Sequence, residues 1–180
     1  IQTIYRQSKR MSNIVNDMLS ATRLERNLSQ TQMTELNMSE LTQSLCRDLA
    51  ALKQNGIEMQ YYIQPGIRVQ GNAELLSRLM SNLIMNAYKY GRQNGHIQVQ
   101  LISEGNTAEL SVSDDGVGIS SDDIDKIWRR FYRADKSRTT ESTGLGLFIV
   151  KKIAEVHAGT LEVRSQPGQG STFIFKIPKK

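Results

Sequence analysis

At 180 residues, 38% hydrophobic and 23% charged, the chain can build one full core with an appendage, which excludes a disordered or fibrous protein. Its net charge of +5 comes from dispersed basic residues with few aromatics between them, so no nucleic-acid partner is expected. The single Cys46 cannot form an internal disulfide and sits in an apolar helical pattern, as a buried thiol in a reducing compartment would. No apolar run approaches the roughly 20 residues of a membrane span, and the chain as given reads as soluble.

From Ile1 to about Asn27, the residues Ile4, Met11, Ile14, Val15, Met18, Leu19, Thr22 and Leu24 keep a three-and-four spacing. This predicts one long amphipathic helix. Its apolar stripe would pack on its own domain, or pair with a helix outside the chain or a second copy; the polar run Asn27 to Gln32 reads as a linker and favours pairing. Because the chain opens inside this pattern, it is expected to be a piece of something longer.

Further on, Met33 to Leu36 suggests a short strand, and Asn37 or Ser39 would cap a helix running to about Gln54 with Leu41, Leu45, Leu49 and Leu52 on one face. Asn55 and Gly56 stop it. Ile57 to Ile63 and Ile67 to Val69 read as strands with Pro65 and Gly66 as the turn between them. A helix from about Asn72 to Gly91 is followed by a hairpin, Gly95 to Ser103 and Thr107 to Val112. Then come a short helix around Asp122 to Trp128, a polar loop to Thr143, a helix beginning at the glycines, and two strands, Thr160 to Arg164 and Thr172 to Ile177. This order implies an α/β, two-layer sandwich: a mixed, mostly antiparallel sheet with three helices on one face, preceded by the long helix.

Four stretches carry chemistry. Gly144 and Gly146 precede a helix and allow close approach of backbone N–H groups to a phosphate, although glycines before a helix are often only a tight turn. Asn82, Asn86 and Lys89 fall on one narrow helical stripe. A solvated face would account for it, but amide oxygens can ligate a hard cation and Lys89 can reach a phosphate. Asp114 ends an alternating strand before Gly116 and Gly118, where a carboxylate can accept from an exocyclic amine and bare backbone can lie under a flat ring; a turn with a surface Asp reads equally well. Arg129, Arg130, Arg133, Lys136 and Arg138 put five cations into ten residues. Such a run is usually a solvated loop; between the ring loop and the phosphate loop it is a candidate lid, with Trp128 and Phe131 as its anchors.

Together these stretches resemble the catalytic ATP-binding domain of two-component sensor histidine kinases, in the GHKL superfamily shared with gyrase, heat-shock ATPases and mismatch-repair ATPases. Asn82-Leu-Ile-Met-Asn86-Ala-Tyr-Lys89-Tyr90 is similar to the N box, Asp114 to Ile119 to the first glycine box, Ile127 to Arg133 to the phenylalanine box, and Gly144-Leu-Gly-Leu147 to the second glycine box. The resemblance implies that Asn86 holds Mg²⁺ with support from Asn82, that Lys89 and Tyr90 contact ATP, and that Asp114 reads the adenine amine. It further implies an adenine pocket lined by Gly116, Gly118 and Ile119, Arg133 and Arg138 on the phosphates, and a phosphate cradle of Thr143, Gly144, Leu145, Gly146 and Leu147. Departures from the family pattern are Asp115, where Asn is frequent, Ser142, where a glycine is common, and Ala158, where a His-Gly-Gly end is usual.

Residues 1–28 resemble the second helix of the family's dimerisation and phosphoacceptor hairpin, and 29–180 the catalytic domain. His96, in an expected strand, and His157, at a helix end, both lack the acidic residue and proline that follow a phosphoacceptor; they read as surface or capping residues. By the resemblance, γ-phosphate passes to a histidine on a helix of the same or a second protomer and then to a response regulator, in a homodimeric, membrane-bound sensor whose cytoplasmic part this is. The alternatives are a GHKL-type ATPase, which would need a carboxylate where Asn82 stands, and a non-catalytic nucleotide-binding interaction module.

Overall fold

Two asparagines start the helical layer. In the computed structural model, which describes residues 31–52, 54–133 and 143–179 together with Ser8, Met11, Ser12, Val15, Met18, Leu19 and Thr22, Asn37 accepts the Glu40 N–H at 3.2 Å. Asn72 likewise accepts the Leu75 N–H at 3.0 Å. Each side chain satisfies an orphan donor of a helix N-terminus, of α1 (Met38–Ala50) and of α2 (Ala73–Tyr90) respectively. A short α3 (Ser121–Ile124) and α4 (Gly146–Val156) complete the helices of residues 31–179.

The main sheet has the order β2 (Glu58–Ile63), β4 (His96–Glu104), β5 (Thr107–Asp114), β7 (Gly170–Pro178), β6 (Thr160–Gln166). Only β2 with β4 is parallel, so the sheet is mixed and mostly antiparallel as expected. Strict alternation along β4 and β5 sends Ile97, Val99, Leu101, Leu110 and Val112 to the helix side, all buried, and Gln98, Gln100, Ser111 and Ser113 to the other. Against that face α2 lays Leu76, Leu79, Leu83 and Ile84, and α4 lays Ile149, Val150 and Ile153. Burial of each such side chain contributes roughly 1.5–3 kcal/mol.

Two local expectations change. β2 and β3 (Arg68–Gly71) are not partners across Pro65 and Gly66: β3 pairs with β1 (Thr34–Asn37) in a separate two-stranded sheet, while β2 continues onto β4. The crossing between sheets is held from α1, where Ser39 Oγ donates to the Gln64 carbonyl at 2.6 Å and accepts the Ile67 N–H at 2.9 Å. The buried stripe of α1 is centred on Met38, Thr42 and Cys46 rather than on its leucines. Thr42 can be buried because its hydroxyl donates to the Met38 carbonyl at 2.7 Å; Leu41, Leu45 and Leu49 flank the stripe half-buried, and Leu52 is exposed beyond the helix end. Burial pushes the Cys46 thiol up to about 12, an inert side chain.

The predicted helix of residues 1–27 and its linker lie mostly outside the described residues. The seven described there are helical, with Met11, Val15, Met18 and Leu19 exposed and Thr22 Oγ1 donating to the Met18 carbonyl at 2.8 Å.

Candidate nucleotide site

A cavity of about 260 Å³ opens between the C-terminal half of α2, the end of β5, the 117–120 loop, α3, the Tyr132–Arg133 segment and the start of α4. Seven of the residues singled out from sequence line it: Asn86, Tyr90, Asp114, Gly118, Ile119, Arg133 and Leu147. They come from four separate stretches, brought together because α2 and α4 pack side by side over β5.

Asp114 lies at the wall of this cavity with its carboxyl largely buried. Burial raises its pKa, the N–H groups of Gly116 and Ser171 pull it back, and the neighbouring Asp115 raises it further. Gly116 donates to Asp114 Oδ1 at 2.9 Å, so one oxygen is held by the backbone. Asp115 faces away: its Oδ2 accepts the His96 N–H at 3.0 Å and lies 3.2 Å from His96 Nδ1.

The two glycines after Asp114 have a different role from the bare platform expected. A Cβ on Gly116 would sit 2.0 Å from the Tyr90 carbonyl oxygen, and one on Gly118, at φ +69°, 1.9 Å from the Gln166 carbonyl oxygen. Their hydrogens let the loop close onto the end of α2 and onto the β6–β7 turn. The Val117 N–H then donates to the Tyr90 carbonyl at 3.1 Å, and the Val117 carbonyl accepts from Gly168 at 2.8 Å. Gly116 is behind the cavity wall, and Gly118 is in it.

The remaining expected residues surround the cavity without lining it. Asn82 Nδ2 donates to the Arg78 carbonyl at 3.0 Å, and its Oδ1 faces Gly146, where a Cβ would be 3.3 Å away. Lys89 Nζ donates to the Tyr90 hydroxyl at 3.1 Å, beside the cavity mouth. Thr143 Oγ1 accepts the Leu145 N–H at 3.4 Å; Leu145 is fully buried core, and α4 starts at Gly146 with no side-chain cap bond. Such a start leaves N–H groups available to an anion. Arg138 and the segment 134–142 lie outside the described residues.

Trp128 is an anchor, meeting the Phe173 ring edge-on at 6.0 Å, whereas Phe131 is not, being 53% exposed at φ +60°. His157 caps α4 as expected but is buried, 6% exposed, rather than at the surface. Sequence reasoning missed Ser120, Asp123, Tyr132, Ser171 and Phe173 as lining residues. Ser171 could have been found only from strand register, since it lies opposite Asp114 on β7.

The model of the histidine kinase-, DNA gyrase B-, and HSP90-like ATPase family matches residues 71–180, which include every element of the cavity. The chain belongs to that family. Among similar proteins, the sensor histidine kinase RppB of a Synechocystis species is 35% identical over 99% of this chain and 40% of its own length. The phosphate regulon sensor protein PhoR of Haemophilus influenzae is 35% identical over 100% of this chain and 43% of its own. The chain thus spans less than half the length of these relatives. A mycobacterial sensor histidine kinase, MprB, superposes with a TM-score of 0.71 at 27% identity, covering 82% of this chain and 98% of that one. The full-length ShkA structure with AMPPNP gives a TM-score of 0.83 over 98% of this chain and 38% of that one; at 24% identity it speaks to the fold. As in other members of this ATPase family, ATP is the ligand class of the fold.

Proposed function

We propose that this chain is the catalytic part of a sensor histidine kinase: it binds Mg²⁺·ATP in the cavity and presents the γ-phosphate to a histidine on a dimerisation helix, for onward transfer to a response regulator. The observation that carries this reading is the convergence of Asn86, Tyr90, Asp114, Arg133 and Leu147, from four separate motifs, on one cavity. In it, Asp114 accepts the adenine amine, Tyr90 packs on the base, Arg133 and the start of α4 face the phosphates, and Lys89 stands near enough to assist. Residues 1–28 act as the second helix of the hairpin and 29–180 as the catalytic domain, in a homodimeric sensor whose cytoplasmic part this is. No described helix is long and apolar enough to cross a membrane, so an anchor would come from elsewhere.

The donor set fits a nucleotide-borne Mg²⁺. Among the described residues no cluster of three His, Cys, Asp or Glu could hold an ion by itself, and the cavity instead offers the neutral amide of Asn86. A small hard cation that keeps its waters and takes most of its charge partners from phosphates needs little more. Bound there, the ion would neutralise phosphate charge; Asn86 would orient it, Asn82 supporting from the next turn. Positioning and electrostatics supply most of the catalysis in phosphoryl transfer, in keeping with a site of Asn, Lys and Arg without a nucleophile. Asn82, an amide where a hydrolytic relative would need a carboxylate, favours kinase over ATPase.

The test is incubation of the chain with γ-labelled ATP, alone and with a histidine-bearing hairpin supplied in trans. Label on the hairpin and none on the chain is the expected result. Nucleotide binding with no label on any hairpin would favour the non-catalytic module.

A further inference from the structure

Three polar groups close on one another in the cavity wall, and none was among the motif residues assigned to ATP. Tyr132 donates its O–H to Asp123 Oδ1 at 2.5 Å, and Ser120 Oγ donates to Asp123 Oδ2 at 2.8 Å. An O–H···O⁻ contact of this length is charge-assisted and roughly twice as strong as a neutral one. The bond to Tyr132 holds the Asp123 carboxyl below the usual carboxylate range and raises the phenol, so donor and acceptor keep these roles at neutral pH.

The backbone beside this bond is strained. Phe131 takes φ +60°, a conformation that costs a bulky residue on the order of 1–3 kcal/mol, and its half-exposed ring recovers little of that by burial. The turn is held instead through Tyr132, whose N–H reaches the Arg129 carbonyl at 3.3 Å and whose hydroxyl reaches Asp123. Gly144 packs on this backbone: a Cβ there would be 2.8 Å from the Phe131 carbonyl carbon and 3.0 Å from the Tyr132 oxygen. The next residue, Arg133, lines the cavity.

We propose that Asp123 is a positioning residue for ATP: by holding the Tyr132 hydroxyl it fixes the backbone from which Arg133 meets the phosphates. The proposal rests on the cavity being the ATP site. It predicts an effect specific to the phosphate end of the ligand, since Asp123 acts through Tyr132 and Arg133.

The experiment titrates the chain and its Asp123→Ala, Tyr132→Phe and double variants with ATP and with adenosine. Adenosine is the control within each variant, so any general loosening of the cavity cancels in the ratio of the two affinities. That ratio is expected to fall about tenfold in each single variant, the size of one charge-assisted contact, and no further in the double variant. An unchanged ratio in either single variant, or losses that multiply in the double, would overturn the assignment. Wild-type chain that binds neither ligand would overturn the ATP-site reading beneath it, and the assignment with it.

Discussion

His157 Nε2 accepts the backbone N–H of Asn72 at 3.0 Å while its Nδ1 lies 2.8 Å from the Ile153 carbonyl, so one buried imidazole ties the end of α4 to the cap of α2. Both contacts are satisfied only by the neutral ring with hydrogen on Nδ1. Gly71 makes room, since a Cβ there would lie 3.1 Å from the ring. With both nitrogens engaged, this side chain is poorly suited to accept a phosphoryl group, in agreement with a histidine acceptor supplied from another helix.

The ring therefore couples stability to pH. Burial lowers the His157 pKa, with the Ile153 carbonyl acting weakly the other way, so the unfolded chain binds the proton more readily. Its contribution is full above about 6.5, the unfolded value, and is lost as pH falls through the lower folded value. Melting curves from pH 7.5 to 5 should drop less steeply for His157→Gln, which can still accept from Asn72, than for the wild type. Parallel curves would remove His157 as the source.

Ala158, directly after that ring, sits at φ +50° where the family usually has glycine. A left-handed conformation costs an L-residue roughly 1–2 kcal/mol, only partly offset by the greater entropy a glycine loses on folding. Ala158→Gly should stabilise by about 1 kcal/mol and raise Tm by about 2–4 °C. An unchanged or lower Tm would mean that the turn carries no such strain.

The layers of the fold were legible because the patterns are local. The alternation in β4 and β5 and the caps at Asn37 and Asn72 each follow from a few neighbouring residues, and so did the helix carrying Asn86. What escaped depends on distant partners. Nothing near Ser39 announces that its hydroxyl joins two sheets, and nothing near Ser171 says that it faces Asp114. In the site, Asp114, Asn86 and Arg133 were readable from motif chemistry. Asp123 and Tyr132 were not, because an acidic turn and an aromatic in a basic run each have an ordinary surface explanation until the fold brings them to 2.5 Å.

Gly116 separates packing from ligand contact. A Cβ there would meet three fixed groups: the Tyr90 carbonyl at 2.0 Å, and Asp114 Oδ1 and the Gly91 Cα at 2.7 Å. Backbone atoms cannot yield, so Gly116→Ala should push the 114–119 loop off the end of α2, destabilise by about 1–3 kcal/mol and weaken nucleotide binding with it. Wild-type stability and affinity in this variant would show that the loop tolerates a shift.

Asp114 sets stability against binding. Its pKa is raised chiefly by burial, and a carboxyl whose folded value lies above its unfolded one stabilises the fold when protonated; that contribution is lost as pH rises through the folded value. At neutral pH the ligand-free protein thus carries the cost of a buried charge. Asp114→Asn removes the charge yet keeps an oxygen for the Gly116 N–H, so the empty variant should melt at the same temperature as the wild type or higher at pH 7, with the gap closing as pH falls below the carboxylate range. Binding should move the other way. An ionised carboxylate only accepts, matching the adenine amine, whereas an amide can also donate and tolerates the guanine carbonyl. Loss of one charged hydrogen bond, about 1.5–3 kcal/mol, predicts a fall of roughly 10- to 100-fold in the preference for ATP over GTP. Paired thermal melts and nucleotide titrations decide both halves: a less stable empty variant would contradict the burial argument, and undiminished ATP preference would take Asp114 out of base recognition.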